Sequence, residues 1–346
     1  MKGLRKYLTP FAPDQSGATS VLYELGGILV ICDAGGCTGN ICGFDEPRWF
    51  TRRSAVFSAG LRDMDAILGR DERLVEKLQA TAEKLEAEFA AIIGTPVPSV
   101  VGTDYRALRR MSERRLPLPV LTVDTTGMEL YDVGQEKAYL ELLRRFAVEP
   151  LPAEPGRLGV LGATPLDLSD IHAGERLAQA CKDQGWSRVD VYGMGAGLSA
   201  IRQAAAAEKN LVVSPSGWKA AEYLKRTFGT PYEVGDPLAE ALLPAGDYGG
   251  LRVLVIHQQV RANALRRLLL ERGAASVTVG TWFLRKPELA QAGDLRLTEE
   301  DQLQEAVRQG GYDLILGDRY LLDALPDYRG QWIDVPHFAV SGRMMT

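Results

Sequence analysis

The chain has 346 residues, 46% apolar and 25% charged, with a formal net charge of −5. That length exceeds one ordinary core and predicts two or three domains, and the acidic balance excludes a broad nucleic-acid surface. No apolar run nears about eighteen residues, so no membrane-spanning helix is expected, and MKGLRKYLTPF lacks the apolar stretch of a signal peptide.

Apolar runs alternate with amphipathic runs along the whole chain. This pattern predicts an α/β fold of two to three Rossmann-like domains, with parallel sheets flanked by helices. The expected domains are residues 1–150, which carry a cysteine-rich loop, 151–246 and 247–346.

In the first domain, Gly27 to Cys32 reads as a buried strand. Asp71 to Ile93 reads as one helix, because Leu74, Leu78, Leu85, Phe89 and Ile92 recur at helical spacing. Ser99 to Val101 and Pro119 to Val123 read as strands, and Glu136 to Phe146 as a helix. VEPLPAEPGR, Val148 to Arg157, holds three prolines and reads as a linker.

The second domain opens with the strand Leu158 to Leu161. A helix over 168–183, the strand Val189 to Tyr192 and the turn Gly193-Met194-Gly195-Ala196-Gly197 follow. That turn leads into a helix over Leu198 to Ala207. It lacks the full GxGxxG, and the next strand, ending VVSPSG, offers no acidic partner for a ribose, so a tight strand–helix turn is the better reading. Leu211 to Val213 is a strand and Trp218 to Phe228 a helix.

The third domain reads as strand Leu251 to Ile256, helix Ala262 to Arg272, strand Ser276 to Val279, helix Glu299 to Gln309 and strand Leu314 to Leu316. Trp332 to Phe338 reads as a last short strand or loop.

Three of the four cysteines, Cys32, Cys37 and Cys42, stand together in GGILVICDAGGCTGNICGFDEPRW. Their C-x4-C-x4-C spacing matches neither the compact ferredoxin run nor paired zinc knuckles. Two readings stay open, a metal-cluster loop or small residues packed as hydrophobes. Position favours the first for Cys37 and Cys42, since they follow the carboxyl end of a strand, where α/β proteins bind ligands. Gly35 and Gly36 let the backbone approach a bulky group and present N–H donors to it. Cys32 falls inside the strand and is the less expected ligand. Cys181 falls inside a helix.

A [4Fe–4S] cluster takes four ligands, and two thiolates from each of two subunits complete such a set at a dimer interface. Asp33 is a candidate non-thiol ligand or catalytic acid. Arg48, Arg52 and Arg53 flank Trp49 and are candidates for holding substrate carboxylates or an acidic partner, the alternative for Arg48 being that neighbouring Asp45 and Glu46 simply neutralise it. His257 ends a strand and is the candidate proton relay or metal ligand, and His337 is a second. His172 is expected on the surface. Asp124, Asp313 and Asp318 stand at strand ends, as proton donors or helix caps. With no export signal, the expected compartment is the cytoplasm.

The chain resembles the nitrogenase component 1 type oxidoreductases over nearly its whole length. SGATSVLYELGGILVICDAGGC is similar to the family's opening strand and its Gly-Pro-x-Gly-Cys loop, with Cys37 at the cluster cysteine. FSAGLRDMDAILGRDERL and PSVVGTDYRAL resemble the family's next two stretches. LRVLVIHQQ, DLILGDRYLLDAL and VPHFAVSGR resemble its third domain.

The departures are specific. Pro10 to Pro13 and Thr95 to Pro98 stand where the family often carries cysteines, which argues against an eight-iron cluster of nitrogenase type. Cys42 has no standard counterpart. The resemblance implies an iron–sulfur oxidoreductase component with its cluster near the interface of a homodimer, or of a heterodimer with a paralogue. It also implies an ATP-dependent iron–sulfur reductase protein as electron donor and a small-molecule substrate, such as a tetrapyrrole or related cofactor. The alternative is a non-catalytic scaffold or carrier for a metal cluster or tetrapyrrole.

Overall fold

Gly27–Ile31 (β1) is buried along its whole length, as expected of a strand covered on both faces. Its neighbours make a parallel sheet in the order β2-β1-β3-β4. The partners are Ala55–Ser58 (β2), Phe89–Ile93 (β3) and Val120–Val123 (β4). The computed structural model describes residues 5–52, 54–62 and 71–345.

A second parallel sheet has the order β6-β5-β7-β8. It comprises Glu154–Leu161 (β5), Arg188–Val191 (β6), Ala207–Val212 (β7) and Tyr232–Val234 (β8). The third has the order β11-β10-β9-β12-β13. Its strands are Arg252–Ile256 (β9), Ser276–Thr281 (β10), Leu295–Arg296 (β11), Leu314–Gly317 (β12) and Gln331–Asp334 (β13). Every pairing within these strands is parallel. Parallel sheets flanked by helices are the expected class. Among the described residues, no helix is long and apolar enough to cross a membrane.

Two helices join the first sheet to the second. Asp14–Leu22 and Tyr131–Phe146 contribute Val21, Leu22, Ala138 and Leu142 to one core that also holds Leu29 of β1 and Val212 of β7. They cross at glycines. A Cβ on Gly17 would stand 1.8 Å from the Tyr131 carbonyl oxygen, and one on Gly134 would stand 1.7 Å from that of Asp14. Only glycine permits this approach. The N-terminal segment packs elsewhere, with Leu8 and Phe11 in the core of the third sheet. The Glu300 carboxylate fastens it by accepting the amides of Lys6, Tyr7 and Leu8.

Several expected elements differ. The helix read over Asp71 to Ile93 stops at Ala82, and Phe89–Ile93 is a fully buried central strand. Phe89 and Ile92 keep helical spacing with Leu85 by coincidence, since FAAII is an unbroken apolar run. Ser99 to Val101 belongs to a helix, Pro96–Val101, begun by a proline in the first turn and closed by left-handed Gly102. The linker ends early, because β5 starts at Glu154. The helix read over 168–183 is two helices, Pro165–Leu168 and Ala173–Asp183, with Ser169 at φ 54° where the first ends. The helix after the glycine turn is shorter than read, Leu198–Arg202, and β7 begins at Ala207.

Candidate functional site

The cysteine loop begins where β1 ends. The Cys32 amide still donates to the Ile93 carbonyl at 2.8 Å, so Cys32 continues the ladder. Its thiol lies in the core under the Asp71–Ala82 helix, with Leu74, Val75 and Leu78. Burial, then the charges of Asp71 and Asp33, push that thiol up to about 12. That apolar setting is the one in which a free cysteine packs as a small hydrophobe.

Gly35, at φ 123°, turns the chain into the short helix Gly36–Asn40, which carries Cys37. A π-turn over Ile41–Asp45 follows and carries Cys42. Both thiols are half-buried and free, packed against the edge of the core that holds Ile41. Nothing lies within 4 Å of where a Cβ would stand on Gly35, Gly36, Gly39 or Gly43. The loop backbone therefore has open space at each of these four glycines.

Polar anchors hold the loop at both ends. The Asp33 carboxylate accepts the Thr38 amide at 2.7 Å, the Thr38 hydroxyl at 3.0 Å and the Ser58 hydroxyl at 2.6 Å. These bonds engage both its oxygens, so Asp33 positions the loop. Asp45 accepts the Ser16 hydroxyl at 2.7 Å and the Asn40 side-chain amide at 2.5 Å.

Arg48 also corrects the expectation. It is fully buried and all five of its donors are taken. It forks onto Glu46 at 2.7 Å twice and reaches Glu24 at 3.1 Å, the Gly193 carbonyl at 3.1 Å and the Ser20 carbonyl at 2.7 Å. No donor remains for a substrate carboxylate, so Arg48 joins the cysteine loop to the second sheet. Arg52, partly exposed, pairs with Glu24 at 2.9 Å. Arg53 lies outside the described residues.

The glycine turn over 193–197 takes part in the same junction. Its Gly195 amide donates to Glu24 at 2.8 Å, so a carboxylate of the chain itself sits there. Burial and the Asp33 carboxylate raise the Cys37 thiol, and burial, Glu46 and Asp33 raise Cys42. The surroundings are acidic and the buried Arg48 has its donors taken. These thiols are not activated nucleophiles, and a cationic metal is what would favour their ionisation. Among the described residues, no three His, Cys, Asp or Glu side chains converge to hold a metal ion.

The surface around the loop is apolar. Phe44 and Phe50, beyond β1, are 75% and 79% exposed, and Val100 and Met128, beyond β3 and β4, are 86% and 82% exposed. All follow the carboxyl ends of strands in the first sheet. A cavity of about 550 Å³ opens beside Phe44 and Phe50, walled by Pro10, Pro47 and Phe338.

His257 is not on a ligand crevice. It is 1% exposed and stacks on His337, with ring centroids 4.1 Å apart and planes 7° apart. His337 Nε2 lies 2.7 Å from the Tyr131 hydroxyl, which donates to Asp167 at 2.8 Å. Burial lowers both histidines, His337 to about 3, and raises Asp167 to about 7. Sequence reasoning missed Tyr131 and Asp167, since nothing local marks either one. Asp318 caps a 3-10 turn and accepts the His337 amide at 2.8 Å. Asp124 pairs with Lys137, and Asp313 accepts the Arg252 amide at 2.8 Å. Cys181 is buried in the second sheet's core, and His172 is exposed.

Three parallel sheets, with a thiol-bearing loop at the carboxyl edge of the first, define an α/β oxidoreductase-like architecture. The profile of the nitrogenase component 1 type oxidoreductases matches residues 15–241. The chain belongs to that family. A solved structure titled nitrogenase Cp1 at pH 6.5 superposes with a TM-score of 0.73 at 12% identity, covering 97% of this chain and 87% of that one. A second, nitrogenase Cp1 at pH 5, gives 0.68 at 13% identity, covering 92% and 81%. At such identities the likeness is one of fold. Comparison with curated proteins gives no match.

Proposed function

We propose that the chain is a nitrogenase-like iron–sulfur reductase component that works in the cytoplasm as a homodimer or with a paralogue. Each sheet is the centre of one domain, over residues 1–150, 151–246 and 247–346. Cys37 and Cys42 of two subunits hold one [4Fe–4S] cluster at their interface, with Gly35 and Gly36 giving it room. The cluster accepts electrons from an ATP-dependent iron protein and passes them to a conjugated small molecule, of which a tetrapyrrole is one example.

The observation that carries this reading is the pair of half-buried thiols on an anchored, acidic loop, at a sheet end where Phe44, Phe50, Val100 and Met128 are exposed. One chain supplies two thiols and a four-ligand cluster needs two more, which an apolar interface between copies would supply. Tight contact there would also shield the cluster from water. The second reading, a carrier for a cluster or tetrapyrrole, draws support from the burial of His257 and His337, which leaves neither open to a substrate.

Anaerobic purification with iron and sulfide analysis tests both readings. About four irons and four sulfides per dimer are expected, with loss of both in Cys37→Ser and Cys42→Ser. A chain that stays iron-free after anaerobic reconstitution overturns the cluster. Reduction of the cluster by an iron protein only with ATP favours the reductase over the carrier.

A further inference from the structure

A second concave site shares no lining residue with the cysteine loop. The helices Tyr105–Arg115 and Tyr131–Phe146 flank a groove of about 540 Å³, floored by Thr122 of β4. Five cations and three carboxylates line it. Each carboxylate has a cation of its own. Glu113 pairs with Arg145 at 2.8 Å, Glu141 with Arg144 at 3.1 Å and Asp124 with Lys137 at 3.2 Å.

Arg106 and Arg109 are left over, and neither has an ion-pair partner among the described residues. They stand three apart on one helix, so they share a face with Cβ atoms about 5–6 Å apart. Asp104, the nearest acid in sequence, attracts Arg106 and Arg110 only at longer range, its carboxylate being the helix N-cap that accepts the Arg106 and Ala107 amides at 2.9 and 3.0 Å. The same helix carries five arginines and one glutamate in a chain whose net charge is −5. Like charges at this spacing repel and destabilise a helix. A bound anion would offset that repulsion, and guanidinium forks match phosphate or carboxylate oxygens in pairs.

We propose that this groove binds a small polyanion with two neighbouring phosphate or carboxylate groups, one on Arg106 and one on Arg109. The concave shape suits a small molecule rather than an extended acidic chain. The site is independent of the cysteine loop and needs no cluster.

Calorimetric titration of the full chain at low salt tests it, with pyrophosphate and citrate as the two probes. The expected result is saturable binding of at least one probe, one molecule per chain, weakening as salt is added. Tighter pyrophosphate binding assigns phosphate, and tighter citrate binding assigns carboxylate. Arg106→Ala and Arg109→Ala should each weaken binding about tenfold or more. Arg267→Ala, on an exposed arginine paired with Glu271 elsewhere, should leave binding unchanged. If Arg109→Ala does not fold, the exposed Arg106 carries the test alone. Absence of saturable binding for both probes overturns the proposal. So does an equal loss in Arg267→Ala, which would mark a diffuse charge effect.

Discussion

Asp33 accepts the backbone amide of Thr38 at 2.7 Å, across the turn that holds Gly35, Gly36 and Cys37. The same carboxylate takes the Thr38 and Ser58 hydroxyls, so it ties the cysteine turn to β2. Asp33→Ala strands these donors around a buried position and should cost about 2–3 kcal/mol in chemical denaturation. Hydrogen exchange at the Thr38 amide should speed up, while β3 amides keep their protection. An unchanged Thr38 amide would show that the loop is held some other way.

Arg48 and Glu46 form a buried two-point ion pair at 2.7 Å on each arm. Removing the cation alone leaves a buried carboxylate uncompensated, which typically costs about 3–5 kcal/mol. Arg48→Met should fall in that range. Arg48→Lys should recover little, because an ammonium cannot reproduce the fork. The double variant Arg48→Met/Glu46→Leu should regain part of the loss, since Glu24 keeps Arg52 and the Gly195 amide as partners. Urea midpoints for the set decide this, and a double variant no better than Arg48→Met would contradict it.

The same pair marks the limit of sequence reading. Glu46 is legible as a local partner of Arg48, but nothing local shows that Ser20, Glu24 and Gly193 close over it. The Trp218–Phe228 helix and β1 were legible, since continuous period or continuous apolarity suffices for each. β2 was missed, being short and half-exposed at the sheet edge. His257 was read at a strand end, where it stands, but its stacking partner lies 80 residues on, past four strands. The cysteine loop was legible because Cys, Gly and the strand end are adjacent in the chain. The anchoring role of Asp33 needed β2 to be seen.

Thiol accessibility separates the four cysteines in the metal-free chain. Cys37 and Cys42 are half-buried, whereas Cys32 and Cys181 are buried, their thiols pushed up to about 12 and about 11. A thiol reagent at about pH 8 should modify two groups in the native chain and all four in denaturant. The native reaction should be slow and accelerate with pH, because Cys37 and Cys42 are themselves raised. Native modification of Cys32, mapped by peptide mass, would contradict the packing described here.

The Tyr131, Asp167 and His337 chain sets two opposing pH terms on stability. Asp167 rises from 3.8 to about 7 on folding. The folded state thus holds a proton that the unfolded state has released, and this term removes stability as pH rises across that window. His337 falls from 6.5 to about 3. There the unfolded state holds the extra proton, so this term removes stability as pH falls from 6.5. His257 shifts the same way and adds to it. Where the two windows overlap, from 3.8 to 6.5, the Asp167 and His337 terms offset, and below the ordinary carboxylate range only the histidine loss remains. Asp167→Asn deletes the first term and keeps an acceptor for the Tyr131 hydroxyl. Its stability relative to the native chain should therefore improve as pH rises from about 4 to about 7, by on the order of 3 kcal/mol. Urea midpoints of the two proteins across that range give the difference directly. A gap that does not change with pH would mean that Asp167 is ionised throughout, with Tyr131 and its other neighbours outweighing its burial.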